Sequence, residues 1–155
     1  MGFQISGLKR EQFQEYFQLD DNALAAKGAR RYVADSKAGF PCRVSLIDAE
    51  PGEQVILLSY HHQAARTPYS ALGPIFVRET AEDTVLSPNQ VPELLRSRLL
   101  SVRAYNAEDL MTEADVVNGL ELENLLSRFF ADPTVSYLHI HFARPGCYAC
   151  RVDRA

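Results

Sequence analysis

The sequence predicts an α+β fold: a single domain over residues 1–155, with a mainly antiparallel β-sheet on which two N-terminal helices and one helix from the C-terminal half pack. Three observations point there. Short segments of alternating or fully apolar residues outnumber those with helical spacing. Most adjacent strand-like segments are joined by links too short for a crossover helix, which requires antiparallel pairing. Helical spacing recurs only near the N-terminus and once late in the chain.

The elements follow in order. Phe3 to Leu8 reads as a first strand. Phe13, Tyr16 and Phe17 then share one face of a helix. Asp20 or Asp21 can cap a second short helix that buries Leu24 and stops at Gly28. Ala29 to Ala34 reads as a strand. Cys42, Val44 and Leu46 alternate, so Cys42 to Ile47 is expected to form a hairpin with Val55 to Tyr60 across the turn at Pro51-Gly52. Pro74 to Arg78 is another strand, and Thr80 to Pro92 an exposed connector. Ser97 to Tyr105 and Ala114 to Val117 are strands, although Leu94, Leu95 and Arg98 also fit a short helix. Leu122, Leu125, Leu126 and Phe129 mark the last helix, which starts at Asn118 or Gly119 and ends at Asp132-Pro133. Val135 to Phe142 and Cys147 to Val152 close the chain as a hairpin.

Composition excludes several classes of function. Sixteen Lys and Arg against twenty Asp and Glu give a net charge of −4, which speaks against a nucleic-acid partner. A membrane span needs about 20 apolar residues, and the longest aliphatic run is Val55-Ile56-Leu57-Leu58, so no membrane partner is expected. Three cysteines and no secretory signal point to a reducing, cytoplasmic location. Cys147-Tyr148-Ala149-Cys150 is a formal C-x-x-C, but it falls in a strand rather than at a helix N-terminus, where a redox pair would gain thiolate character. No G-x-S-x-G, G-x-G-x-x-G or Walker motif is present, so neither a nucleophile nor a nucleotide is named.

Several short motifs occur in a recognisable order: Ile5-Ser6-Gly7-Leu8, Gly28-Ala29-Arg30-Arg31, Pro41-Cys42-Arg43-Val44-Ser45-Leu46, Pro68-Tyr69, Gly73-Pro74-Ile75-Phe76-Val77, Arg103-Ala104-Tyr105 and Ala143-Arg144-Pro145-Gly146-Cys147-Tyr148. Together they resemble the bacterial domain-of-unknown-function 1203 family over nearly the whole chain. The resemblance implies a bacterial cytosolic protein and brings no activity or catalytic residue with it. Cys42 and the Gly146-Cys147 pair fit the family pattern, whereas His139, His141 and Cys150 have no assigned place in it.

The histidines carry the only chemistry that spacing brings together. They come as His61-His62 and His139-x-His141. Strand neighbours point to opposite faces, so His61 and His62 do not both join one site, whereas His139 and His141 share a face. The turn decides what stands across from them. A two-residue loop at Pro145-Gly146 sets His141 against Cys150, and a four-residue loop from Ala143 to Gly146 sets His139 against Cys150. Either gives a His-His-Cys cluster suited to zinc. A three-residue loop from Arg144 to Gly146 sets His139 against Arg151, His141 against Ala149, and turns Cys150 to the other face. Turn chemistry disfavours the three-residue loop. Burial favours it, because the even registers place Arg151 on the core side, where an unpaired charge costs several kcal/mol.

The burial-favoured register makes Cys150 a core residue and shows Tyr137, His139, His141 and Arg151 on the outer, solvated face. That set suits an anionic small molecule, a carboxylate or phosphate, with no cofactor. Arg103 and Tyr105 alternate on another strand and are able to join it if the two strands are neighbours. Two further readings stand beside it. One is a non-catalytic module that forms a homodimer through sheet edges or an apolar helix face. The other is a zinc protein using His139, His141 and Cys150.

Overall fold

The computed structural model describes residues 2–155. Among the described residues, eight strands form two sheets. The larger has the order β1-β8-β7-β5-β6, from Phe3–Ser6, Tyr148–Arg154, Val135–Phe142, Leu99–Asn106 and Met111–Asn118, with every pair antiparallel. The smaller has the order β2-β3-β4, from Arg30–Val33, Gln54–Gln63 and Ala71–Arg78, again antiparallel. Among the described residues four α-helices accompany them: α1 (Gln14–Phe17), α2 (Asp21–Ala26), α3 (Glu93–Arg96) and α4 (Leu122–Phe130).

Local signals account for these boundaries. Asp20 caps α2, its Oδ1 accepting from the Ala23 amide at 2.8 Å, and Gly28 follows at φ 73. Asn118 caps the 3-10 turn that leads into α4 by accepting from the Leu120 amide. α4 turns Leu122, Leu125, Leu126 and Phe129 onto one face of the large sheet. There they pack with Leu100, Val102, Leu138, Ile140, Phe142, Cys150 and Val152. A second core, with Phe13, Leu24, Val44, Leu58 and Ile75, joins the N-terminal helices to the small sheet. Two arginines from the Arg96–Arg103 stretch staple the connections: Arg96 to Glu123 at 2.5 Å and Arg98 to Asp48 at 2.7 Å.

One expected strand is a turn. The Cys42 amide donates to Ile47 O at 3.0 Å, the Leu46 amide donates to Cys42 O at 3.1 Å, and Leu46 itself sits at φ 57. The strand β3 instead lies between β2 and β4. The alternation of Val44 and Leu46 has a different cause: Val44 is buried in the second core and Leu46 in the first. A loop threading between two cores hides alternate residues just as a strand does.

The β7–β8 hairpin satisfies both arguments that competed over its register. Phe142 closes the loop against Cys147, accepting from Gly146 N at 2.8 Å and donating to Cys147 O at 2.9 Å, so four residues form the turn. Gly146 takes φ 80 there. His141 then pairs with Tyr148, the register shifts, Ile140 pairs with Cys150 and His139 with Arg151. The extra residue, Ala149, is a β-bulge. It gives the chain the loop that turn chemistry prefers and still keeps Arg151 off the hydrocarbon face. His141 therefore stands against Tyr148 rather than Ala149. Cys150 points into the first core and is correspondingly buried.

Candidate metal centre

Strand β7 is paired on both sides, and its odd and even residues serve two different layers. Tyr137, His139 and His141 share the face away from α4. β5 brings Arg103 opposite His139 and Tyr105 opposite Tyr137, and β8 brings Arg151 opposite His139. The four residues expected to share a face do so, with Arg103 and Tyr105 beside them.

The expectation that fails is solvation. His139 is 4% exposed, His141 1% and Tyr137 5%. The end of β3 covers them. Along β3, Ile56, Leu58, Tyr60 and His62 occupy alternate positions, so the apolar face of the small sheet ends in an imidazole. His62 stacks on Tyr148 at 5.5 Å between centroids and meets His141 edge-on at 5.0 Å. Gln63 Nε2 donates across the sheets to Tyr137 Oη at 3.0 Å, and Tyr137 Oη donates to Asp109 Oδ1 at 2.6 Å. His139 sits among the rings of Tyr105, Tyr137 and Tyr148, each with its centroid 5.1–5.3 Å away. His61 points outward to Ser70 Oγ at 2.9 Å.

One ring nitrogen from each of His62, His139 and His141 lies within 4.8 Å of the other two. Two imidazole ligands of a tetrahedral zinc stand roughly 3.4 Å apart, so modest ring rotation closes such a set onto an ion. His62 Nδ1, His139 Nδ1 and His141 Nε2 are buried without a hydrogen-bond partner. The tautomer of His141 follows from its other nitrogen: Nδ1 stands 3.0 Å from Gly146 O, a carbonyl that only accepts. Nδ1 therefore carries the proton, and Nε2 presents a bare lone pair. A backbone carbonyl holding the far nitrogen is the usual support of a metal-binding histidine.

Burial holds these rings neutral. It pushes His139 down to about 3, with help from His141, Arg151, His62 and Arg103. It pushes His141 down to about 4, against the Gly146 carbonyl, which favours the charged ring. His62 is lowered in the same way, with Arg103 and His61 adding to the effect. Arg151 lies at the rim. Its guanidinium stacks 4.1 Å from the Tyr137 ring centre and pairs with Asp153 at 2.9 Å.

The His139–His141–Cys150 set does not assemble. Cys150 stands opposite Ile140, on the other side of the sheet from both rings, and burial pushes its thiol up to about 12. The third member is His62, which spacing along the chain does not reveal. The signal that was available is the alternation Ile56, Leu58, Tyr60, His62, which assigns His62 to the buried face of its strand.

No helix among the described residues is long and apolar enough to cross a membrane. No curated protein and no solved structure matches the chain. Residues 39–154 match the model of the family described as Protein of unknown function (DUF1203). The match takes in the β3–β8 core with all three histidines, and the chain belongs to that family.

Proposed function

We propose that this protein binds a first-row transition metal, zinc foremost, through His62, His139 and His141, and that the ion ties the two sheets together. The observation that carries the reading is the convergence of three imidazoles, each of which also has a buried ring nitrogen without a hydrogen-bond partner. Leaving a buried acceptor or donor unmet costs about 1–3 kcal/mol each, and a single ion takes one ring nitrogen from each of the three histidines. The rings are neutral at physiological pH, which is the ligating form. An all-imidazole set favours zinc, copper, nickel or iron over calcium and magnesium. Three protein ligands leave one position for water or a ligand.

The anionic small molecule expected for this face has weaker support. Its two imidazoles carry no charge to offer, and Arg151 is already paired with Asp153.

The test is metal uptake by tag-free protein dialysed against zinc, with thermal unfolding alongside. One ion per chain is expected, and zinc at a hundredfold excess over its Kd stabilises the fold by about 2.7 kcal/mol. His62→Phe keeps a flat ring on Tyr148 and removes the nitrogen; it abolishes both effects. Sub-stoichiometric uptake by the folded wild type, or undiminished uptake by His62→Phe, overturns the reading.

A further inference from the structure

A second site shares no residue with the histidine cluster. A cavity of about 490 Å³ opens between the Ala38–Arg43 loop, the start of β5 and the β7–β8 turn. Its lining includes Arg43, Arg98, Arg144, Phe76, Phe142 and Cys147. Arg43 is 2% exposed, a rare fate for a guanidinium without a carboxylate. Its Nε donates to Tyr148 O at 2.8 Å, Nη1 to Pro41 O at 2.6 Å and Nη2 to Cys147 Sγ at 3.0 Å. Among the described residues no carboxylate reaches it, and of its five N–H groups these bonds use three.

The charge around it is one-sided. Arg98 also lines the cavity and is neutralised by Asp48. Arg144 is exposed and has no ion-pair partner among the described residues. Both Arg43 and Arg98 lie 5.0 Å from the centre of the Phe142 ring, which gives the cavity an aromatic wall. Three guanidinium groups thus line the cavity and no carboxylate does, Asp48 pairing with Arg98 alone, in a chain whose net charge is −4.

We propose that this cavity binds a small organic oxyanion, a carboxylate or phosphate ester with an apolar body, whose charged end meets Arg43 and Arg144 and whose body lies against Phe142 and Phe76. Two oxygens of a carboxylate or phosphate group use the two spare N–H groups of Arg43 and supply the counter-charge that the fold withholds. Arg43 is the recognition residue. Arg144 draws the anion in from the rim, and Cys147 sits beside the charged end.

Cys147 also provides the readout, because Cys42 and Cys150 are buried and Cys147 is partly exposed. The alkylation rate of Cys147 by iodoacetamide is followed by mass spectrometry of the intact chain, with phenyl phosphate, benzoate or benzyl alcohol present. Saturable protection by phenyl phosphate or benzoate at about millimolar levels is expected, with none from benzyl alcohol. The stronger of the two anions identifies the headgroup. Arg144→Gln, a surface change that leaves the fold intact, weakens protection by about fivefold, and Arg43→Lys by about tenfold or more where it folds. The proposal is overturned if neither anion protects, if benzyl alcohol protects equally, or if Arg144→Gln leaves protection unchanged.

Discussion

The two faces of β7 are buried to the same degree and do opposite things. Leu138 and Ile140 pack in the core with α4 as plain hydrocarbon. Tyr137, His139 and His141 pack as tightly under β3, yet His139 and His141 each bring a ring nitrogen that finds no partner. Depth does not separate core from site here. The difference is whether the buried surface is chemically complete. The hydrocarbon face has nothing left to satisfy, whereas the ring face holds His139 Nδ1 and His141 Nε2, which, with His62 Nδ1 from β3, stay unmet until something occupies them.

The sharpest break of this contrast is Ile140→Ala. It opens a cavity on the hydrocarbon side and is expected to cost about 2–5 kcal/mol, while zinc uptake on the opposite face stays at one per chain. Urea unfolding with and without zinc measures both. A loss of metal in this variant would mean that the two faces are not independent.

A smaller effect comes from protons. The unfolded chain binds a proton at each histidine near pH 6.5. The fold does so only near 3 for His139 and near 4 for His141. Stability contributed by the neutral rings is therefore whole above pH 6.5 and drains as the pH falls toward 4 and then 3. The slope is at most about 1.4 kcal/mol per pH unit for each ring. His139→Phe removes its ring's share, so the metal-free variant is expected to lose less stability than the wild type between pH 6.5 and 4. Equal slopes in urea titrations at the two pH values would show that the ring is not held neutral.

The smallest change acts on the seam between the sheets. Gln63→Leu removes the bond to Tyr137 Oη and is expected to cost about 1 kcal/mol. It should leave zinc stoichiometry intact and weaken affinity only through the looser placement of His62. Calorimetric titration of zinc into this variant separates the two effects.

Much of the architecture was open to reading along the chain. The α4 stripe, the Asp20 cap, the limits of β7 and the concealment of Cys150 all rest on interactions within a few residues or across one turn. The parity of the last hairpin came from weighing one buried charge, and the structure keeps that parity with a bulge that pattern alone does not announce. The Cys42–Ile47 segment was misread because a loop lodged between two cores imitates a strand's alternation.

Periodicity, capping and the expense of burying a guanidinium are local or pairwise effects, so residue order alone determined the α+β class, the closing hairpin and the shared side of Tyr137, His139, His141 and Arg151. Which surface lies over that side is a long-range matter, settled when the small sheet folds across the large one. Only that packing turned a solvated patch into a dry one and exchanged Cys150 for His62. It also enclosed Arg43 without a carboxylate, because groups more than a hundred residues apart meet there through the sum of many weak contacts.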